Sequence, residues 1–219
     1  MSRPMSMPAV ANKPDDFLLL ILSSPSGAGK TTLTRKLEAT FPELVFSVSH
    51  TTRKPRANEV EGRDYHFTER GAFEELVRGG AFLEWAEVHG NLYGTSIAEI
   101  QRARTLGGCR GMIFDIDYQG ARQIRAKVPD VTSVFILPPS MAELERRLRG
   151  RASETEDAVR RRFAVAEREI EHYALFDFLV VNDQVDHAFD ELRSIITAER
   201  CRRRVRACLA EELLRHGSL

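Results

Sequence analysis

The sequence predicts a doubly wound α/β fold, and three observations carry that expectation. Short apolar runs recur along the chain, segments of helical period separate them, and one such run leads straight into a glycine-rich turn and a helix. The runs at residues 17–22, 112–116, 131–137 and 176–181 are rich in Val, Ile, Leu and Phe and lack polar alternation. Strands covered by helices on both faces of a parallel sheet read this way, whereas a half-exposed strand alternates. Strands alternating with helices then give the doubly wound arrangement.

The elements follow in order. Residues 1–15 contain Pro4, Pro8 and Pro14 and no apolar core, so they read as a flexible lead-in and fail as a secretory signal. After Lys30, Leu33 and Leu37 stand four apart and Phe41-Pro42 closes the helix. From about residue 44 to residue 95 the rhythm changes to short strand-like runs at 45–49, 64–68 and 82–88. His89-Gly90-Asn91 suits a tight turn, and Thr68 suits the cap of a short helix through Phe73 and Leu76. This stretch reads as a small, mostly antiparallel insertion at an edge of the core.

Farther on, Ser140 and Glu143 form a capping box before Met141, Leu144 and Leu148. Ser153 and Glu156 form a second, opening a helix striped by Val159, Phe163, Ala166, Ile170 and Tyr173. The tail, residues 197–217, carries Cys201, Val205, Leu209 and Leu213 beside Arg202, Arg203, Arg204 and Arg206. It is expected to be an amphipathic helix docked on the body.

Composition excludes several classes. Lys+Arg and Asp+Glu balance at 32 each over 219 residues, so there is no field to favour nucleic acid or an anionic membrane surface. Cys109, Cys201 and Cys208 form no C-x-x-C pair and read as reduced thiols. No apolar run approaches membrane-spanning length. A cytoplasmic protein is expected.

Residues 24–31, S-P-S-G-A-G-K-T, lie between a strand and a helix, the setting of a phosphate-binding P-loop. Its glycines let successive N–H groups turn inward as an anion nest, and the following helix adds its positive end. Ser26, Gly27, Ala28, Gly29, Lys30, Thr31 and Thr32 are therefore the triphosphate-binding candidates, with Lys30 charged toward the β- and γ-phosphates. Ser24 replaces the usual first Gly, a position that shapes entry into the loop. A P-loop NTPase-type sheet is the specific expectation. Asp115 ends an apolar run, and with the Thr31 hydroxyl it is the candidate pair for Mg²⁺. Arg53 and Arg56 lie three apart in a proline-held segment suited to gripping a phosphate, flanked in sequence by Tyr65 and Tyr93. His89 and His172 belong to no ligand-like cluster.

Across most of its length the chain resembles the guanylate kinase family. The resemblance runs in order through the P-loop, S-x-T-T-R-x-P-R at 49–56, G-R-D-Y at 62–65 and F-L-E-W at 82–85. It continues through G-N-x-Y-G-T at 90–95, D-I-D-x-Q-G at 115–120, R-L-x-G-R at 147–151 and V-N-D at 181–183. The resemblance implies a single domain over residues 16–219. Its core spans 16–46, 96–139 and 163–196, its GMP-binding part 47–95, its lid 140–162 and its C-terminal helix 197–217. It implies transfer of the γ-phosphoryl group of Mg-ATP to GMP, and to dGMP. Arg53, Arg56, Tyr65 and Tyr93 are implied for the GMP phosphate, and Ser49, Glu84, Thr95 and Asp117 for guanine. Arg147, Arg151 and Arg162 are implied as lid arginines at the transferring phosphates, and Asn182 as an ATP contact.

Guanine chemistry agrees with the place of Glu84. N1–H and N2–H₂ are two donors for one carboxylate, and O6 seeks a hydroxyl, whereas adenine sets a lone pair against the same carboxylate. Such a site rejects the wrong base by roughly 10⁴–10⁵. By alternation alone Glu84 would face water, and Trp85 reads as core packing. Most of the Arg160-Arg161-Arg162 run reads as wet surface. Three rival functions stay in view. A peptide-binding module without catalysis would lack P-loop or lid cations, a sugar-phosphate kinase has no use for a guanine reader, and a nucleotide hydrolase leaves residues 49–95 unexplained.

Overall fold

The computed structural model describes residues 17–88, 90–150 and 156–218. Strand β1 (Leu18–Ser23) leads through the P-loop into helix α1 (Lys30–Thr40), and β2 (Leu44–Phe46) follows. Next come β3 (His50–Thr51), β4 (His66–Phe67), α2 (Arg70–Arg78), β5 (Phe82–Val88) and β6 (Asn91–Ser96). The chain returns through α3 (Ile97–Thr105) to β7 (Gly111–Asp115), α4 (Tyr118–Lys127) and β8 (Thr132–Leu137). Helices α5 (Met141–Arg149) and α6 (Glu156–Ile170) precede β9 (Phe178–Val181), α7 (Val185–Arg200) and α8 (Arg203–His216).

Five strands form an all-parallel sheet in the order β2-β7-β1-β8-β9. Successive side chains of a strand point to opposite faces, and β1 divides its own accordingly. Leu20 and Leu22 pack with Leu33 and Leu37 of α1 and Leu192 and Ile196 of α7. Ile21 packs on the other face with Phe114, Ala121 and Ile124. Burial on both faces is why the runs of β1, β7 and β8 lack alternation. The run of β9 is not so buried, since this edge strand leaves Leu179 and Val181 exposed. The order places β1 and β7 side by side with Leu22 opposite Asp115, so the P-loop and the acidic end of β7 emerge together.

A second sheet has the order β4-β3-β6-β5, antiparallel except for β3 with β4. It has its own small core, where Phe73 of α2 stacks on Phe82 at 4.5 Å between ring centroids, beside Leu92.

Several local expectations are corrected. The run at 45–49 divides, because Leu44–Phe46 pairs with β7 as an edge of the parallel sheet and does not belong to the insertion. Glu69, not Thr68, stands at the start of α2, and the Thr68 hydroxyl donates to the His66 carbonyl. Ser140 does cap α5 by accepting from the Glu143 N–H, but the Glu143 carboxylate turns to Arg146 and Arg147 instead of closing the box. Tyr173 leaves the α6 stripe because the helix ends at Ile170, and its side chain is exposed. Trp85 is 40% exposed and is no core residue.

The tail differs most. It breaks at Cys201, and α8 buries none of its side chains, leaving Leu214 87% exposed. Arg204 ties its first turn to Asp130 and Glu199, and of the apolar stripe Val205 is half-buried while Leu209 and Leu213 are exposed. Ser153 and His89 lie outside the described residues. Helices α3 and α7, to which sequence periodicity assigned nothing, fill the two faces of the parallel sheet. Among the described residues no helix is long and apolar enough to cross a membrane.

Candidate active site

The P-loop is built by backbone conformation. Gly27 and Gly29 both take φ +96°, a left-handed region that L side chains rarely adopt. A Cβ on Gly29 would also fall 2.2 Å from Asn182 Nδ2, so the loop has no room for one. Asn182 is buried at the end of β9, and its Nδ2 donates to the Ala28 carbonyl at 2.7 Å. Its Oδ1 has no hydrogen-bond partner among the described residues. Lys30, half-buried, pairs with Asp115 across the junction of β1 and β7. Thr31 and Thr32 are exposed at the first turn of α1.

Helices α5 and α6 cover this loop. Leu144 and Leu148 lie so close to Gly27 that a Cβ there would meet them at 3.0–3.1 Å. Arg147 donates to the carbonyls of Ala28 at 3.3 Å and Asn182 at 3.1 Å, while Glu143 holds its Nε at 2.7 Å. The Glu143 carboxyl falls to about 2 because Arg146 and Arg147 both bond to it. Arg162 donates to the Ser26 hydroxyl at 2.6 Å, and its neighbours Arg160 and Arg161 face solvent. Arg151 lies outside the described residues. Glu169, which no motif singled out, accepts the Ser26 N–H at 3.2 Å. Burial pushes its carboxyl upward, opposed by that bond.

The second sheet gathers the other candidates. Glu84 is only 4% exposed, and its Oε1 accepts the Thr95 N–H at 2.8 Å. The Thr95 and Ser49 hydroxyls stand 3.3 Å apart. Burial raises the Glu84 carboxyl to about 7, opposed by the Thr95 hydrogen bonds and reinforced by the nearby charge of Asp117. Gly120 makes room for it, since a Cβ there would lie 2.7 Å from Glu84 Oε2. Asp117 is also the N-cap of α4, accepting from the N–H groups of Gln119 and Gly120. Alternation misjudged Glu84 because α4 lies over the outer edge of β5 and shuts out the water that an edge strand would meet.

Arg53, Tyr65 and Tyr93 also meet. Arg53 lies 5.2 Å from the centroid of the Tyr65 ring, and the two tyrosine rings are 6.0 Å apart, edge to face. The Arg53 guanidinium forks onto Glu59 at 2.8 and 2.9 Å, which raises its pKa and lowers that of Glu59. Arg56 reaches outward, its side chain 77% exposed and 3.9 Å from Glu59. Glu59 has no motif to announce it. Its position three residues after Arg56, accepting that residue's N–H at 2.8 Å, is the one local signal.

Thus Lys30, Arg53 and Arg147, all suited to phosphate, each rest on an internal carboxylate. Two clusters result, one around the P-loop and one around Glu84. The end of β7 joins them, with Asp115 on Lys30 and Asp117 beside Glu84.

Comparison with known proteins finds relatives along most of the chain. The sequence model of the family described as guanylate kinase matches residues 18–199. The guanylate kinase of Myxococcus xanthus (strain DK1622) is 50% identical over 187 residues, 85% of this chain and 88% of that protein. That of Oleidesulfovibrio alaskensis (strain ATCC BAA-1058 / DSM 17464 / G20) is 48% identical over 202 residues, 92% and 97% of the two chains. The crystal structure of the guanylate kinase from Anaplasma phagocytophilum superposes with a TM-score of 0.71 at 33% identity, covering 93% of this chain and 96% of that one.

Proposed function

The chain belongs to the guanylate kinase family, and from that premise we propose how its residues divide the work of an ATP:GMP phosphotransferase. The enzyme moves the γ-phosphoryl group of ATP to GMP, giving ADP and GDP. The observation that carries the assignment of its acceptor site is the buried Glu84 carboxylate beside the Thr95 and Ser49 hydroxyls. The carboxylate takes the N1–H and N2–H₂ donors of guanine, and a hydroxyl serves O6.

The attacking oxygen of GMP is already anionic, so the reaction needs no general base and no covalent nucleophile. It needs two polyanions held in line and the charge between them neutralised. The nest of Ser26, Gly27, Ala28, Gly29, Thr31 and Thr32 holds the ATP phosphates, and Lys30 neutralises the transferring group. Arg147, Arg151 and Arg162 approach that group from the lid, residues 140–162, and Asn182 contacts ATP. On the acceptor side, residues 47–95, Arg53, Arg56, Tyr65 and Tyr93 hold the GMP phosphate, while Asp117 joins Ser49, Glu84 and Thr95 at the base. For each paired cation, a substrate phosphate replaces the internal carboxylate. Arg53 leaves Glu59, Arg147 leaves Glu143, and Lys30 leaves Asp115.

The donor set fits Mg²⁺. Thr31 and Asp115 offer hard oxygens beside the loop, and the described residues contain no cluster of three or more acidic, His or Cys ligands. That suits an ion that keeps water and phosphate as most of its ligands. Bound there with ATP, Mg²⁺ would screen the phosphate charge. Closure of the lid and acceptor sheet excludes water that would otherwise take the phosphoryl group. The enzyme acts in the cytoplasm.

The test is a coupled ADP-release assay with Mg-ATP and GMP, AMP, UMP or CMP in turn, beside Glu84→Ala. Turnover with GMP alone, and erosion of that preference in the variant, supports the assignment. Undiminished preference in Glu84→Ala removes Glu84 from the role.

A further inference from the structure

Strand β5 carries Glu84 on an edge of the second sheet, with β6 paired to it on one side only. Helix α4 lies along the other side and holds the strand at two points flanking Glu84. Gln123 turns its side-chain amide onto the Trp85 backbone. Its Nε2 donates to the Trp85 carbonyl at 2.7 Å, and its Oε1 accepts the Trp85 N–H at 3.2 Å. One amide thereby supplies both bonds that a neighbouring strand would offer at the residue after Glu84.

Before Glu84 the ladder is irregular. Phe82 faces Ser96 and Glu84 faces Thr95, which leaves Leu83 as the additional residue of a bulge. Bulges re-aim side chains and interrupt pairing. Lys127 meets this one from α4, its ammonium donating to the Phe82 carbonyl at 3.3 Å and the Leu83 carbonyl at 2.5 Å. Gly120, Gln123 and Lys127 are three and four residues apart, so one face of α4 carries the space for the carboxylate and both grips on its strand.

We propose that Gln123 is a positioning residue for guanine recognition, its clip on Trp85 fixing the backbone that aims Glu84. The inference rests on the reading of Glu84 as the guanine reader. Gln123 donates and accepts at the protein backbone, and Lys127 supports the same strand from the bulge. A carboxylate that must accept two N–H groups at once tolerates little displacement. An edge strand bulged beside that carboxylate and released from α4 is free to shift.

The experiment compares Gln123→Met, nearly the same shape without the amide, in otherwise unchanged protein and in Glu84→Ala. GMP and IMP are the acceptors, since IMP lacks the exocyclic amino group that Glu84 would accept. Loss of the clip should raise KM for GMP about threefold to tenfold and narrow the preference for GMP over IMP. KM for ATP should stay within about twofold. In the Glu84→Ala background the same change should add nothing for GMP, because the residues act as one unit. Lys127→Met should move the preference the same way by less, and it carries the comparison if Gln123→Met does not fold. An equal rise in KM for GMP and ATP, a lowered Tm with the preference intact, or full additivity with Glu84→Ala would overturn the inference. If Glu84→Ala alone leaves the preference for GMP over IMP intact, the base-reader assignment itself has failed and the inference goes with it.

Discussion

The two halves of the proposed site are built by different means. The P-loop half is made of backbone, with two glycines at φ +96° and the start of α1 forming a nest whose shape belongs to one short segment. The acceptor half is made of side chains from β5, β6, the loops on either side of β3 and the start of α4, none of which is a site alone. A phosphate is a compact anion, and consecutive N–H groups suffice for it. A base edge has a fixed order of donors and acceptors, and reading it takes side chains fixed by separate elements. Lys30, Arg53 and Arg147 are held meanwhile by internal carboxylates, which keeps them ordered without a substrate.

The strongest way to break this comparison is at Lys30, the long side chain that the P-loop segment itself supplies. Lys30→Met should lower kcat by about 10³-fold or more, as loss of a charge aimed at the transferring group does. KM for GMP should stay near its original value. A comparable loss in KM for GMP would show the halves to be a single unit.

Glu84→Ala should cost about 10²- to 10³-fold in kcat/KM for GMP, the worth of two hydrogen bonds to a charged group. It should leave KM for ATP unchanged. Steady-state kinetics with each substrate varied in turn distinguishes the two variants.

A pH series sharpens the contrast. The free protein holds the Glu84 carboxyl near 7 against an ordinary 4.5, so it is protonated between those values. Guanine needs the ionised form, and KM for GMP should therefore rise as pH falls below about 7, by up to about tenfold per unit. KM for ATP should not follow it. In that same window the folded chain binds a proton that the unfolded chain has lost. Stability from this group accordingly declines as pH rises from 4.5 to 7, and the cost is complete above 7. Glu84→Gln has no proton to lose and should melt higher than the parent at pH 8 but not at pH 4, which differential scanning calorimetry would read.

The smallest effect is expected at Glu59. Its carboxylate keeps Arg53 over the Tyr65 ring and takes the Arg56 N–H. Glu59→Gln should lower KM for GMP about threefold to fivefold, because the phosphate then no longer displaces a carboxylate from the Arg53 fork, a partly screened bidentate pair. A rise in KM would make Glu59 an organiser of Arg53 instead of a competitor that the phosphate displaces.

Legibility in the sequence followed the locality of each feature. Strands β1, β7 and β8 could be read because burial on both faces removes alternation, and the P-loop because its shape is local, whereas β9 is apolar yet half-exposed at the sheet edge. Periodicity alone placed Leu44–Phe46 with the insertion, because three apolar residues do not reveal whether they pair with β7 or with the insertion, while the family resemblance kept them in the core. The tail carries an apolar stripe like that of a docked helix, yet stripes do not say whether a surface waits for them, and α8 buries none of its own. Tyr173 continued the α6 spacing past the point where the helix ended.

Alone, then, the sequence determined the parallel α/β core, the phosphate loop and, by its ordered motifs, the family. These depend on periodicity and on neighbours along the chain. Only the tertiary structure decided that Glu84 is buried and Trp85 is not, that Glu59, Glu143 and Glu169 meet Arg53, Arg147 and Ser26, the groups proposed for phosphate, and that Gln123 and Lys127 grip the strand of Glu84. Each of those depends on residues 3 to 143 positions apart meeting in space. Burial and pairing are properties of what packs alongside a residue, and that is set by the path of the whole chain.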